Sequence, residues 1–179
     1  MGRNAGAVSQ CYLQRWNLLI IFVTLGSQKF QFDRLLKELD KLVESGVVCD
    51  EIIAQIGAST YIPKHYESIR FMDREKFAET MDRCSVVITH GGTGVIIGAV
   101  KKGKKVIAVP RLSRYGEHVD DHQLQLLHQF DDLKIICACY DVEHLGDCYK
   151  QLEEMEFRPY ISNTHVIIQS IDEYLQQLL

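Results

Sequence analysis

The residues of this chain best suited to chemistry are His90-Gly91-Gly92-Thr93-Gly94, which follow the run Val86-Val87-Ile88-Thr89. Four β-branched residues in a row predict a buried strand. The glycines predict a tight turn into a helix over Val95–Lys102, ended by Gly103. A strand that feeds a glycine turn at a helix start aims free backbone N–H groups, and the positive end of the helix dipole, at one point. That point suits a phosphate, and glycine lets the backbone approach it closely. The ligand class implied is a nucleotide, a nucleotide sugar or another phosphate ester. His90, directly before the glycines, favours a ligand turn over glycines kept only for close helix–strand packing.

Two further polar segments follow apolar runs. Thr24-Leu25-Gly26-Ser27-Gln28 offers a turn with small donors. Alone it reads equally as a plain turn or a ligand loop; with His90–Gly94 it could enclose the same ligand from the other side. Arg111-Leu112-Ser113-Arg114-Tyr115-Gly116-Glu117-His118-Val119-Asp120-Asp121-His122-Gln123 gathers carboxylates and amides that could read sugar hydroxyls. A solvated helix entrance is the plainer reading. His118 and His122 stand four apart with two aspartates between them, a spacing that brings a metal to mind. The sequence offers no clear third ligand, so no metal is expected.

These segments need a scaffold, and apolar runs alternating with amphipathic ones predict one. The expected fold class is α/β: a doubly wound, Rossmann-like parallel sheet covered by helices. Strands are predicted at Leu18–Leu25, Glu51–Ile56, Ile69–Met72, Ser85–Thr89, Lys105–Pro110 and Leu133–Tyr140. Helices are predicted at Phe32–Ser45, Arg74–Cys84 (capped by Asp73), Val95–Lys102, His122–Phe130, Val142–Glu154 (capped by Asp141) and Thr164–Leu178. Ligands of such sheets bind beyond the C-terminal ends of the strands, where all three polar segments lie. Gly92-x-Gly94-x-x-x-Gly98 is a weak match to a dinucleotide fingerprint. It follows the fourth strand rather than the first, and the next acidic residue, Glu117, sits in a loop.

The chain has 179 residues, a size for one domain, with 46% apolar and 25% charged residues. A net charge of −4 argues against a nucleic-acid partner. The six cysteines lack zinc-type spacing and read as reduced structural thiols of a cytosolic protein. Leu18–Leu25 could mimic a signal-peptide core, but no strongly basic leader precedes it, and a first strand is the better reading. Residues 1–17 read as a loose extension, 18–163 as the ligand-binding domain, and 164–179 as an amphipathic helix that reads equally as packing onto its own domain or as docking a partner.

In this order, the three segments resemble the C-terminal, donor-binding half of MurG-type GT-B glycosyltransferases (family twenty-eight), from about Ile20 to Phe130. Ser68-Ile69-Arg70-Phe71-Met72-Asp73 resembles the segment whose backbone reads uracil in that family. Thr89-His90-Gly91-Gly92-Thr93-Gly94 resembles its diphosphate loop, and Asp121-His122-Gln123 its sugar-facing loop. The chain also resembles subunits that are this half only: the catalytic subunit of the dolichol-linked N-acetylglucosamine transferase and the bacterial PssE/EpsF-type capsule and exopolysaccharide subunits. Gly116-Glu117-His118-Val119-Asp120-Asp121-His122-Gln123 is especially similar to the bacterial group. Val95 stands where the family often has Ser, and Gly98 where it often has Glu for the ribose.

The resemblance implies a catalytic subunit of a two-component, inverting transferase. It would move a hexosyl residue from a UDP-sugar to a polyprenyl-diphosphate-linked acceptor in capsule or exopolysaccharide biosynthesis, without a metal or other cofactor. The implied donor site comprises Gly26, Ser27, Phe71, Met72, His90, Gly91, Gly92, Thr93, Gly94, Asp121, His122 and Gln123, with His90 helping to stabilise the leaving diphosphate. A membrane-anchored partner would supply the other half, the lipid-linked acceptor and the general base, holding this chain at the inner face of the membrane. The rival readings are a non-catalytic accessory subunit, a nucleotide-dependent epimerase and an NAD-binding oxidoreductase.

Overall fold

Six short apolar runs pair into one sheet in the computed structural model, which describes residues 19–178. The extension expected over residues 1–17 lies outside the described residues. The strands are β1 (Ile20–Thr24), β2 (Glu51–Gln55), β3 (Glu67–Ile69), β4 (Val86–His90), β5 (Lys105–Val109) and β6 (Cys137–Ala138). Their order is β3-β2-β1-β4-β5-β6, and every neighbouring pair is parallel. The chain therefore starts in the middle, builds one half outward through β2 and β3, then returns to build the other through β4. β1 and β4 are the neighbours at which the order reverses, which opens a crevice beyond their C-terminal ends. Thr24 and Thr89 are in register, so the segments after them leave the sheet side by side.

A parallel sheet must be covered on both faces, because crossover helices lie on each. Helix α1 (Asp33–Glu44) places Leu35, Leu36 and Leu39, all fully buried, on the side of Ile21, Val23, Ile88, Ile107 and Val109. Helix α5 (Leu145–Gln151) joins them through Leu145 and Tyr149. Helices α2 (Arg74–Arg83), α3 (Thr93–Lys101) and α4 (His122–Asp132) cover the other face, where Met81, Ile96 and Leu127 meet Phe22, Val87 and Val106. Each such large apolar side chain contributes roughly 1.5–3 kcal/mol on burial. Asp73 caps α2 by accepting from the Lys76 N–H at 2.7 Å.

The outline departs from the sequence reading at four elements. β3 occupies Glu67–Ile69 rather than Ile69–Met72, and the Met72 N–H goes instead to the Gln55 side chain at 2.9 Å. β6 shrinks to Cys137–Ala138, because α4 runs on to Asp132 and Lys134 turns the chain at φ 56°. The helix expected over Val142–Glu154 opens as a 3-10 turn, Val142–His144, before α5. α3 starts two residues early, at Thr93, because Gly92 already takes the extended backbone of a helix cap.

Cys84, Cys137, Cys139 and Cys148 are free thiols. Cys49 is disulfide-bonded, against the expectation of reduced thiols throughout; it lies in the turn between α1 and β2 rather than in an apolar face. Helix α6 (Thr164–Gln176) buries none of its residues, and Ile167, Ile168, Ile171, Tyr174 and Leu175 are each at least half exposed. Among the described residues no helix is long and apolar enough to cross a membrane.

Candidate functional site

The crevice between β1 and β4 is built around one imidazole. Gly26 turns the chain after β1 at φ +74°, in the left-handed region that favours glycine. A Cβ there would lie 2.8 Å from His90 Cε1, and one on Gly92 would lie 2.5 Å from His90 Nε2. The His90 ring is thus wedged between the turns that follow β1 and β4. A Cβ on Gly57, after β2, would meet the Gly26 carbonyl oxygen at 2.8 Å and Phe71 Cε1 at 3.9 Å. The exits of β1, β2 and β4 and the Phe71 segment after β3 therefore converge. Gly94 and Gly98 have open space where a Cβ would stand, so helix–sheet packing does not require glycine at either.

Counting backbone donors shows which of them can serve a ligand. The Gly91 N–H donates to Gln123 Oε1 at 3.0 Å, and the Gly92 N–H to the His90 carbonyl at 2.7 Å. The first helical bond of α3 runs from the Ile96 N–H to the Gly92 carbonyl. That leaves the N–H groups of Thr93, Gly94 and Val95 without an acceptor inside the helix. Thr93 and Gly94 are exposed, and the first turn of α3 contains no acidic residue to offset the dipole. The donor set is therefore Thr93–Val95, shifted along the chain from the glycines that mark it.

Burial pushes the His90 imidazole down to a pKa of about 4, and the neighbouring Arg111 charge adds to the shift. At neutral pH His90 is an uncharged ring that can offer one N–H, not a cation. Its Nδ1 lies 3.4 Å from Thr89 Oγ1, which itself donates to the Thr24 carbonyl at 2.7 Å.

The loop from β5 to α4 is clamped rather than free. Glu117 is fully buried and takes two bonds from Arg34 of α1, at 3.0 and 2.9 Å, and one from the Leu112 N–H at 3.1 Å. Arg34 also donates to the Pro110 carbonyl, Gln31 to the Tyr115 carbonyl, and the Phe30 and His118 rings lie 5.3 Å apart. The loops after β1 and β5 thus touch, as an enclosing pair must.

Gln123 is buried; its Oε1 accepts from both the Gly91 and the Arg111 N–H at 3.0 Å, tying the β4 exit to the β5 exit. Asp121 accepts from the Ser113 N–H at 2.7 Å. His122 is exposed, with Nδ1 3.3 Å from Gln125 Oε1. Ser27 and Phe71 are exposed, and Met72 is half-buried. His118 Nδ1 lies 2.9 Å from Asp120 Oδ1, and among the described residues no group of three His, Cys, Asp or Glu could hold a metal ion.

Sequence reasoning did not single out Gln55, Gly57 or Arg34, and it placed Arg111 and Glu117 in the candidate loop without the roles the structure gives them. Gln55 carried a signal, as a polar residue closing an apolar strand. Arg111 carried another, as a cation directly after the proline that stops β5.

Comparisons with known proteins bear on the family and the fold. The family model of the glycosyltransferase family 28 C-terminal domain matches residues 20–177. The human (Homo sapiens) UDP-N-acetylglucosamine transferase subunit ALG13 is 28% identical over 133 residues, 66% of this chain and 11% of that protein. The chain thus spans about a tenth of the length of the curated relative it matches. A solution structure of ALG13 covers 82% of this chain and 90% of its own, with a TM-score of 0.54 at 17% identity. MurG of Acinetobacter baumannii covers 82% of this chain and 44% of its own, with a TM-score of 0.52 at 18% identity. These two structures show the shared fold, and the family match spans all but two of the described residues: the chain belongs to the glycosyltransferase family 28 C-terminal domain family.

Proposed function

We propose that this chain is the UDP-sugar-binding catalytic subunit of a two-component, inverting glycosyltransferase. Its reaction is transfer of a hexosyl residue to a polyprenyl-diphosphate-linked acceptor in capsule or exopolysaccharide biosynthesis. The observation that carries the reading is the bare N-terminus of α3: three N–H groups directly after the His90–Gly92 turn, at the reversal of strand order, with no acid in the turn.

As the bond between the sugar and the diphosphate breaks, negative charge grows on the leaving oxygens. Donors already aimed at that place stabilise the charge without reorganising. The N–H groups of Thr93, Gly94 and Val95 and the dipole of α3 do this, beside a neutral His90 ring whose Nδ1 side faces Thr89 and Thr24. Gly91 and Gly92 shape the turn while their own N–H groups are bonded within the protein. Gly26 and Ser27 close one side, and Phe71 and Met72 stand where the base would lie. Gln123 holds the loops together, and Asp121 fixes the loop that presents His122 to the sugar.

Inversion requires the acceptor hydroxyl to attack the anomeric carbon from the side opposite the diphosphate while a base takes its proton. The reading places that base, the acceptor and the membrane anchor on a second subunit. The apolar residues of α6, all exposed, are the surface assigned to it. This subunit then works at the cytoplasmic face of the membrane through its partner. The test is label transfer from UDP-sugars into lipid extracts. Membranes holding both subunits are expected to catalyse it and either subunit alone to fail; full transfer by the partner alone would reduce this chain to an accessory.

A further inference from the structure

Arg111 is a buried arginine, 1% exposed, whose guanidinium is only partly bonded. Nη2 donates to the Leu25 carbonyl at 2.7 Å, whereas Nε and Nη1 are buried with no hydrogen-bond partner. They are the only such side-chain atoms among the described residues. Glu117 is nearby, but its hydrogen-bonded neighbours are Arg34 and the Leu112 N–H. Two arginines and one carboxylate leave this buried group with one positive charge in excess. Burial lowers the Arg111 pKa to about 10 and Glu117 opposes the shift, so the cation persists at neutral pH. Uncompensated buried charge and unpaired buried donors are costly, and their retention calls for a cause.

The position of the charge supplies one. β4 lies between β1 and β5. Arg111 follows β5 and bonds Leu25, which follows β1, so its side chain crosses the C-terminal end of β4, where His90 opens the glycine turn. Strand alternation places Arg111 and His90 on one face with Val109, Ile88 and Leu25, under α1. The Phe32 ring covers the guanidinium at 5.5 Å. The backbone of Arg111 is held to the same turn, since its N–H and that of Gly91 share Gln123 Oε1.

We propose that Arg111 is the fixed countercharge of this site, a positioning residue behind His90 whose excess charge is balanced when a diphosphate group binds at the N-terminus of α3. The inference rests on the nucleotide-sugar reading for its natural ligand, but its chemistry requires only a diphosphate. A cation locked in a low-dielectric place before the ligand arrives strengthens anion binding without reorganising. The same charge disfavours protonation of His90 and so keeps the ring neutral.

The test is calorimetric titration of the full chain with inorganic pyrophosphate and with UDP, for wild type, Arg111→Lys and Arg111→Met, alongside thermal melts. Arg111→Met is expected to remain folded and to bind pyrophosphate and UDP at least about tenfold more weakly, with Arg111→Lys recovering most of that loss. A folded Arg111→Met variant with wild-type pyrophosphate affinity overturns the proposal, because a merely structural arginine would change the melting temperature alone. A second reading needs no variant: the ¹⁵N-resolved Arg111 Nε–H signal of the wild type should move on adding pyrophosphate, and a stationary signal overturns the proposal too. Wild type that binds pyrophosphate through Arg111 but not UDP supports the countercharge and sinks the nucleotide-sugar reading. Wild type that binds neither overturns both.

Discussion

His90 sits in a slot made by two absent side chains. Because a Cβ on Gly26 would come within 2.8 Å of the ring and the backbone there has φ +74°, Gly26→Ala meets both strain and a clash. It should cost about 1–3 kcal/mol in denaturant melts and weaken UDP binding by shifting the ring.

The ring's own titration gives a second prediction. Folding holds His90 at a pKa of about 4, below the ordinary 6.5. Between those values the unfolded chain binds a proton that the folded chain refuses, so stability must fall as pH drops through this window and level off below it. Wild type should lose up to roughly 3 kcal/mol more than His90→Asn between pH 7 and pH 4. Equal losses in melts at the two pH values would contradict the buried neutral ring.

Gln123 gives a third. Its Oε1 is the shared acceptor of the Gly91 and Arg111 N–H groups, so Gln123→Ala should cost about 2–4 kcal/mol of stability, while Gln123→Glu, which keeps an acceptor, should cost less. At this scale the sequence disclosed the types of residue and not their tasks. His90, Gly92 and Gln123 stood out, but a one-dimensional reading assigned Gln123 to the sugar and the Gly91 and Gly92 N–H groups to phosphate. The Gly91 N–H is satisfied across the fold by Gln123, a partner that sequence spacing does not reveal, and the Gly92 N–H is taken up within the turn by the His90 carbonyl.

Among the elements, α3 is the one on which function turns. Thr93 is its first residue, and Gly92 before it already has extended backbone, φ −78° and ψ 113°, compatible with a following proline. Proline is favoured at the first helical position and lacks only the N–H that the helix does not use. Thr93→Pro should therefore melt close to wild type yet bind UDP roughly tenfold more weakly, through loss of one charge-assisted bond.

The C-terminal α6 makes the opposite prediction. None of its residues is buried, so a chain lacking residues 164–179 should fold and bind UDP normally but fail to co-purify with the proposed partner subunit. Loss of folding on deletion would contradict this. β1, β4 and β5 were legible because unbroken apolar or β-branched runs have few other places to go than the interior of an α/β sheet. β6 was overestimated for the same reason. Its apolar run begins at Leu133, but the first residues complete the turn out of α4, where Lys134 adopts a left-handed backbone that no propensity announces.

For the molecule as a whole, the alternation of apolar and amphipathic segments was enough to predict a doubly wound sheet. The order of its strands was not contained in that pattern, because pairing between β1 and β4 is a contact across more than sixty residues. Only that pairing brings Gly26 beside His90 and turns two weak loop signals into one crevice.

A crevice that binds the diphosphate of a UDP-sugar must bind UDP through the N-terminus of α3. The deciding experiment is calorimetric titration of the purified chain with UDP, with NADH as control and Thr93→Pro as the variant. UDP is expected to bind and NADH not to, with the variant binding UDP roughly tenfold more weakly. No UDP binding, or binding that Thr93→Pro leaves unchanged, would contradict the UDP-sugar reading.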